Sequence, residues 1–350
     1  MLIEFIRKNK DNWRELLSQE PYNLKFNECG KFTLVRYSQL SSDFSNPIVQ
    51  ESRGCIIDNE TLEYACRPFV KFFNVSEELA SPVDLDSARI QTKHDGSIIK
   101  CWWDGIGWRV STNGTIDSST AMIEGDFISF YELFNMAKGD LDFAKLNKNR
   151  TYIFELTSPL NRVVVDYKEH KIFHIGTIDN KTGEEFNEDI GIEKPKEFHC
   201  NNVDDIINAV NLMSYDEEGY VVVDKYWRRV KIKSPEYVRV HRLYSNVMTK
   251  RRAVEIIRMN EQSEFLAYFP QYKELFDGIE KAYNKLVDEV EIMLNNVDFS
   301  VDKKTLAILN RDNEFKDILF RKYDGKLNSV KEYFDYMYID KLIKHIEDRM

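Results

Sequence analysis

Lys93-His94-Asp95-Gly96-Ser97 sets a lysine just ahead of an acid, a glycine and a hydroxyl. Phe154-Glu155, Glu217-Glu218-Gly219 and Val230-Lys231-Ile232-Lys233 follow in that order. A lysine amine ordinarily has a pKa of about 10.4. It becomes a nucleophile only where desolvation or nearby positive charge favours the neutral form. Asp95 and Ser97 can fix such a loop by hydrogen bonds, and Gly96 can let backbone approach a ligand closely. The same residues also spell an ordinary turn into a strand, since Asp-Gly is a common turn dipeptide. The companions weigh against that. Glu155 alternates opposite Phe154 and Leu156, where a carboxylate is costly unless it faces water, a ribose hydroxyl or a metal-bound water. Glu218, at the start of an apolar strand, can hold a divalent cation, and Val221 can pack under a flat purine. Lys231 and Lys233 alternate with Val230 and Ile232, so both ammonium groups emerge on one face. That arrangement is poor for a strand and good for a triphosphate.

Strands must aim these groups. From Phe32 to about Ile232 the chain predicts short β-branched or aromatic strands at 98–103, 152–156, 162–167, 219–224 and 229–232. Turn signals such as Asp104-Gly105, Asn113-Gly114 and Ser158-Pro159 bound them. Residues 204–213 predict an intervening helix. Leu2, Phe5, Ile6, Trp13, Leu16 and Leu17 predict one amphipathic helix over the first twenty residues. Beyond Pro235 the texture changes. Phe276, Ile279, Tyr283, Leu286, Val290 and Met293 step at helical spacing, and 303–323 and 328–346 also predict helices. The expectation is an α+β domain over 1–240 and an all-helical domain over 241–350.

Composition bounds the class. The 350 residues are 43% hydrophobic and 31% charged, as in soluble globular proteins, and enough for two cores. No apolar run approaches the roughly 20 residues of a membrane span. The N-terminus lacks a signal peptide's apolar stretch, so an intracellular protein is expected. Cys29, Cys55, Cys66, Cys101 and Cys200 are odd in number and lack CxxC spacing, which suits neither a disulfide framework nor a zinc site. The net charge of −10 is uneven: residues 225–258 hold eleven Lys or Arg against two Glu. A cationic strip on an acidic body can focus a polyanion into a groove, although a solvated helix face has the same composition.

Together the four elements resemble motifs I, III, IV and V of the covalent nucleotidyltransferases, the group of ATP-dependent ligases and RNA-capping enzymes. Two upstream stretches narrow the likeness: Glu51-Ser52-Arg53-Gly54-Cys55-Ile56-Ile57 and Arg67-Pro68-Phe69-Val70-Lys71-Phe72-Phe73-Asn74. Their form is similar to the RNA ligase 1 family typified by the T-even bacteriophage enzyme. The likeness runs from about Arg36 to Lys233. It implies a nucleotidyltransferase domain with antiparallel sheets, and the helices predicted after it stand where DNA ligases and capping enzymes usually carry an OB domain, which argues against both.

The resemblance also implies roles. Lys93 would be the adenylylated nucleophile, Arg53, Lys71, Lys231 and Lys233 would bind ATP phosphates, Glu155 would contact the ribose, and Glu218 would bind Mg²⁺ or Mn²⁺. Adenine would lie between Val221 and Phe173 or Ile175, with Gln91 near its edge. Residues 111–115 lack the Lys or Arg that often stands there in these enzymes, and Lys100 or Arg109 are the candidates to replace it. The implied activity is ATP-dependent joining of RNA 5′-phosphate and 3′-hydroxyl ends. The setting would be RNA repair, on substrates including tRNA-like broken stem-loops, in a phage-type enzyme acting in a host cytoplasm. Arg239, Arg242, Lys250, Arg251 and Arg252 would contact RNA. The alternatives are a nick-sealing ligase of another branch and a binding relative without catalysis. Oligomeric state stays open.

Overall fold

The computed structural model describes the chain except residues 39–40, 124–127, 199–201, 244–248, 259–260, 269–271 and 336. For residues 242–243, 258, 264, 267–268 and 335 it describes the backbone alone. The chain divides into two compact units. One comprises Met1–Trp13, Leu24–Tyr37 and Asp43–Val247, and the other Arg14–Asn23, Ser38–Ser42 and Met248–Met350. No helix among the described residues is long and apolar enough to cross a membrane. Cys29, Cys55, Cys66 and Cys101 are free thiols, and Cys200 lies outside the described residues.

The first unit is built on three sheets. Its strands begin with β1 (Lys25–Cys29), β2 (Phe32–Arg36), β3 (Arg53–Asp58), β4 (Glu63–Cys66), β5 (Phe73–Asn74), β6 (Arg89–Lys93) and β7 (Ser97–Trp103). They continue with β8 (Trp108–Ser111), β9 (Arg150–Thr157), β10 (Lys171–Asp179), β11 (Glu185–Phe186), β12 (Glu197–Phe198), β13 (Gly219–Val223) and β14 (Arg229–Lys233). The sheet orders are β1-β2-β3-β4, β11-β10-β9-β7-β8 and β12-β6-β13-β14-β5. Every pairing is antiparallel except β14 with β5.

Alternation gives the third sheet two faces. Ile90, Val222, Val230 and Ile232 bury one face against Ile206, Val210 and Met213 of the helix Val203–Asn211 and the turn after it. Each such fully buried side chain is worth about 1.5–3 kcal/mol, which holds the sheet in one register and commits the odd-numbered lysines to the opposite face. In the second sheet, Ile99, Phe154, Leu156 and Ile172 pack on Leu133 and Phe134 of the helix Phe130–Ala137. That helix starts at a Ser129/Glu132 capping box.

Three expectations need correction. The first twenty residues form two helices, Leu2–Lys8 and Trp13–Ser18. Asn9 ends the first by turning its side-chain amide onto the Phe5 carbonyl, the competition with helix that asparagine favours. Residues 162–167 form no strand: the Val164 and Val165 N–H groups both donate to Asp95 Oδ2 at 2.8 Å, so they are unavailable to a ladder. In the second unit, 303–323 splits into Lys303–Leu309 and Lys316–Tyr323, and 328–346 into Val330–Asp335 and Ile339–Glu347. Asn310 and Asn313 capture backbone groups at the first break.

The second unit packs around the helix Lys273–Asn295. Its Phe276, Ile279, Tyr283, Leu286 and Val290 are buried together with Val254 and Ile257 of Lys250–Arg258 and with Leu342 and Ile346.

Candidate active site

Register assembles the site. Gly219 of the central strand β13 pairs with Lys93 on one side and Lys233 on the other. Two residues along, Val221 pairs with Gln91 and Lys231, and Lys231 pairs with Asn74 of β5. Residues two apart share a face, so Lys93, Gln91, Val221, Lys231, Lys233 and Asn74 lie on the face opposite the apolar core. Only glycine fits at 219: its φ is +139°, and a Cβ would strike the Ile232 carbonyl.

Glu218 precedes that row and joins its two lysines. Its Oε2 lies 2.7 Å from Lys93 Nζ, and its Oε1 lies 3.1 Å from Lys233 Nζ. Glu218 and Lys233 are 4% and 6% exposed. Removing such groups from water is tolerable only because the ammonium groups and the carboxylate answer one another.

The turn after Lys93 is tied down on all sides. Asp95, 4% exposed, accepts from the Tyr237 hydroxyl at 2.7 Å as well as from Val164 and Val165. The Asp95 N–H donates to the Tyr167 hydroxyl at 3.0 Å. Burial pushes both phenols well above their ordinary pKa, so each stays protonated. Ser97 Oγ accepts from Asn161 at 2.8 Å. At Gly96 a Cβ would strike the Leu156 carbonyl of β9, so close packing by itself calls for glycine there.

Glu155, on β9 opposite Ile98 and Phe173, belongs to the same electrostatic cluster. Burial pushes its pKa up to about 7; Lys93 and Arg53 pull it down, while Glu218 and Asp95 add to the rise. Arg53 also lies 5.2 Å from the Phe72 ring centroid. Lys71 sits among the rings of Phe44, Phe73 and Tyr37, with Nζ 4.5, 4.8 and 5.8 Å from their centroids. Tyr37 and Phe44 carry no motif signal that would have revealed them.

The residues expected near the base have partners within the chain. The His94 imidazole stacks on Phe173, with centroids 3.6 Å apart and planes 9° apart, so one face of that ring is taken. Burial pushes His94 down to about pKa 4 and keeps it neutral. Gln91 donates to Glu197 at 2.9 Å. Both candidates for the missing cation at 111–115 have partners within the chain. Lys100 is fully buried and donates to the Gly54 carbonyl, and Arg109 is held by Asp104 at 2.5 Å.

The basic strip has a different character. In the first unit Arg239 pairs with Glu236 at 2.8 Å. In the second, Lys250 faces Glu347 at 3.4 Å, Arg251 pairs with Glu255 and Asp340, and Arg252 lies 3.2 Å from Glu255. The side chain of Arg242 lies outside the described residues.

Among the described residues no group of three His, Cys, Asp or Glu side chains could cage a metal ion. Glu218 alone suits a hard cation that takes its other ligands from phosphate and water, as Mg²⁺ commonly does.

Lys93 at the end of β6, Glu218 just before β13, and Lys231 and Lys233 on β14 thus come together at one β-sheet, the arrangement expected of a nucleotidyltransferase site. The family model described as RNA ligase, of the T4 ligase 1 type, matches residues 51–237, more than half of the chain, and the chain belongs to that family. A protein of Autographa californica nuclear polyhedrosis virus, named as a bifunctional polynucleotide kinase/RNA ligase, is 27% identical over 290 residues, covering 75% of this chain and 41% of that protein. The RNA ligase of Rhodothermus phage RM378 is 24% identical over 341 residues, covering 74% and 77%. The chain thus spans about two fifths of the viral relative. A solved archaeal ATP-dependent RNA ligase is 13% identical with a TM-score of 0.47, covering 78% of this chain and 82% of that one.

Proposed function

We propose that this chain joins RNA ends, a 5′-phosphate to a 3′-hydroxyl, by three nucleotidyl-transfer steps that begin with ATP. The observation that carries this reading is the row in which Lys93 and Lys233 flank Gly219 and share the Glu218 carboxylate. The nearby positive charge of Lys233 favours the neutral form of Lys93, and with its proton lost to solvent the amine attacks the α-phosphorus of ATP. A nitrogen–phosphorus bond forms, the oxygen bridge to the β-phosphate breaks, and pyrophosphate leaves. The RNA 5′-phosphate then takes AMP from Lys93, and the 3′-hydroxyl displaces AMP from that activated end.

Lys231, Lys233, Arg53 and Lys71 neutralise phosphate charge, and Glu155 holds the ribose. Such positioning and neutralisation supply most of the rate in phosphoryl-type transfers. Val221 forms the floor for adenine, while contact through Gln91 or Phe173 requires release of Glu197 or His94. Mg²⁺ or Mn²⁺ held by Glu218 would supply further charge neutralisation at the phosphates.

RNA repair is the setting we favour, on broken stem-loops of the tRNA kind. The viral relative's name couples an RNA ligase to a polynucleotide kinase, and a kinase can make the 5′-phosphate that a ligase consumes. The phage relative supports a phage-type enzyme acting in a host cytoplasm.

Incubation with α-³²P-ATP and a divalent cation tests the first step. The wild-type chain should gain an acid-labile AMP label. Lys93→Ala should gain none, yet still seal an RNA whose 5′ end is already adenylylated. Full labelling of Lys93→Ala overturns the assignment.

A further inference from the structure

The second unit contains a cavity of about 270 Å³ with no part in the chemistry above. Its walls come from the end of the helix Lys316–Tyr323, the turn that follows, and the helices Val330–Asp335 and Ile339–Glu347. Arg321, Lys326 and Lys341 contribute three cations to its lining, against the single carboxylate of Glu332. Lys341 reaches only 4.0 Å from Asp317, and Lys326, in no ion pair among the described residues, helps only at longer range to hold the Asp324 carboxyl below its usual pKa. The contrast with Lys250, Arg251 and Arg252, which all face acids, marks the cavity as the less neutralised cationic feature.

Two tyrosines complete it. Arg321 lies 5.4 Å from the Tyr333 ring centroid, and Tyr338 is 72% exposed. A tyrosine that leaves most of its ring in water next to a lined cavity offers a stacking surface. Flat aromatic faces beside Lys and Arg are how single-stranded nucleic acid is held: bases stack while cations take phosphates. An acidic peptide would use the cations and leave the rings idle. The volume falls just under the range of about 300–1,000 Å³ usual for ligand pockets, a size for one nucleotide and not for a duplex.

We propose that this cavity binds one unpaired nucleotide of the RNA substrate, its base stacked on the tyrosines and its phosphate held by Arg321 and Lys326. The proposal rests on the RNA-joining reading and adds to it a preference for RNA with a single-stranded segment.

Binding of a fluorescein-labelled single-stranded RNA dodecamer to the full chain, followed by anisotropy without ATP, tests it. Tyr338→Ala should weaken binding at least about fivefold, and Tyr338→Trp should preserve it. The double variant Arg321→Glu/Lys326→Glu should weaken binding further, with its log-affinity slope against log salt shallower by about 0.7 for each lost phosphate contact. All three positions are exposed, and thermal melts check that the variants fold. AMP labelling at Lys93 should stay at wild-type level throughout. Unchanged affinity and salt slope in both the Tyr338→Ala and double variants overturn the proposal. So does displacement of RNA by polyglutamate as readily as by competitor RNA, combined with no effect of Tyr338→Ala. Failure of the wild-type chain to acquire AMP would instead sink the ligase reading, since RNA affinity is read independently.

Discussion

Two parts of this molecule gather positive charge and organise it in opposite ways. On the face of the β6-β13-β14 sheet, two lysines converge on one nearly buried carboxylate. On the helix Lys250–Arg258, Lys250 and Arg251 are exposed and each faces a surface acid. The first arrangement concentrates charge where water is scarce, so an incoming polyphosphate meets cations that one glutamate cannot fully neutralise. The second spreads charge over a wetted surface, where an exposed pair is worth about 0–1 kcal/mol and is screened by salt. Counting lysines and arginines does not separate the two cases. Burial and sharing of partners do.

The sharpest way to break that comparison is Glu218→Ala. It strips both lysines of their shared partner at a site where the Lys93 side chain is 21% exposed and that of Lys233 nearly buried. Losing one member of a buried ionic group typically costs about 3–5 kcal/mol. We expect a clear fall in the urea midpoint together with loss of AMP labelling. High phosphate or ATP should recover part of the stability by supplying the missing negative charge. A variant with an unchanged midpoint would mean that the lysines are better solvated than their geometry implies.

Much of this site was legible because period-two alternation is a local rule. Lys231 and Lys233 must share a face if Val230 and Ile232 are buried, and they are. The order of Lys93, Glu155, Glu218 and Lys233 likewise survives as a spatial cluster. What escaped depends on contacts made far along the chain. Tyr237 reaches Asp95 across 142 residues, and no spacing rule links them. The valines at 163–165 carry strand propensity, but two of their N–H groups are claimed by that same aspartate. Propensity is a weak prior where a buried carboxylate competes for the backbone. His94 escaped for a similar reason. His94 directly follows β6, its neighbour Phe173 lies on β10 in a different sheet, and only the fold stacks them.

Glu155 offers a gentler test of the buried face. Its folded pKa of about 7 lies above the ordinary carboxylate value, so between roughly pH 4.5 and 7 the folded chain holds a proton that the unfolded chain has released. The stabilisation is fully present below the unfolded pKa and is lost as pH rises through 7. His94, pushed down to about 4, acts oppositely, favouring the folded state more as pH rises from 4 to 6.5. Glu155→Gln removes only the first effect. Relative to wild type, its urea midpoint should therefore improve between pH 5 and pH 7, a difference in which the His94 contribution cancels. A constant gap across that range would place Glu155 in ordinary water.

The smallest effect belongs to the exposed side of the comparison. Replacing Lys250, Arg251 and Arg252 together by Gln removes three cations but leaves Glu347, Asp340 and Glu255 exposed or partly exposed to solvent, free to hydrate. Each lost pair should cost about 0.2–1 kcal/mol, so the melting temperature should move by only a few degrees and AMP labelling should not change. For RNA the expectation is a small drop in affinity, smaller than that of the Arg321→Glu/Lys326→Glu cavity variant, because the strip's charge is already balanced by nearby acids before RNA arrives. Measured at several salt concentrations, the triple variant should keep nearly the wild-type slope, since few phosphate contacts are lost. A slope as shallow as the cavity variant's would show that RNA pulls these side chains away from their acids, and the strip would then be a working groove.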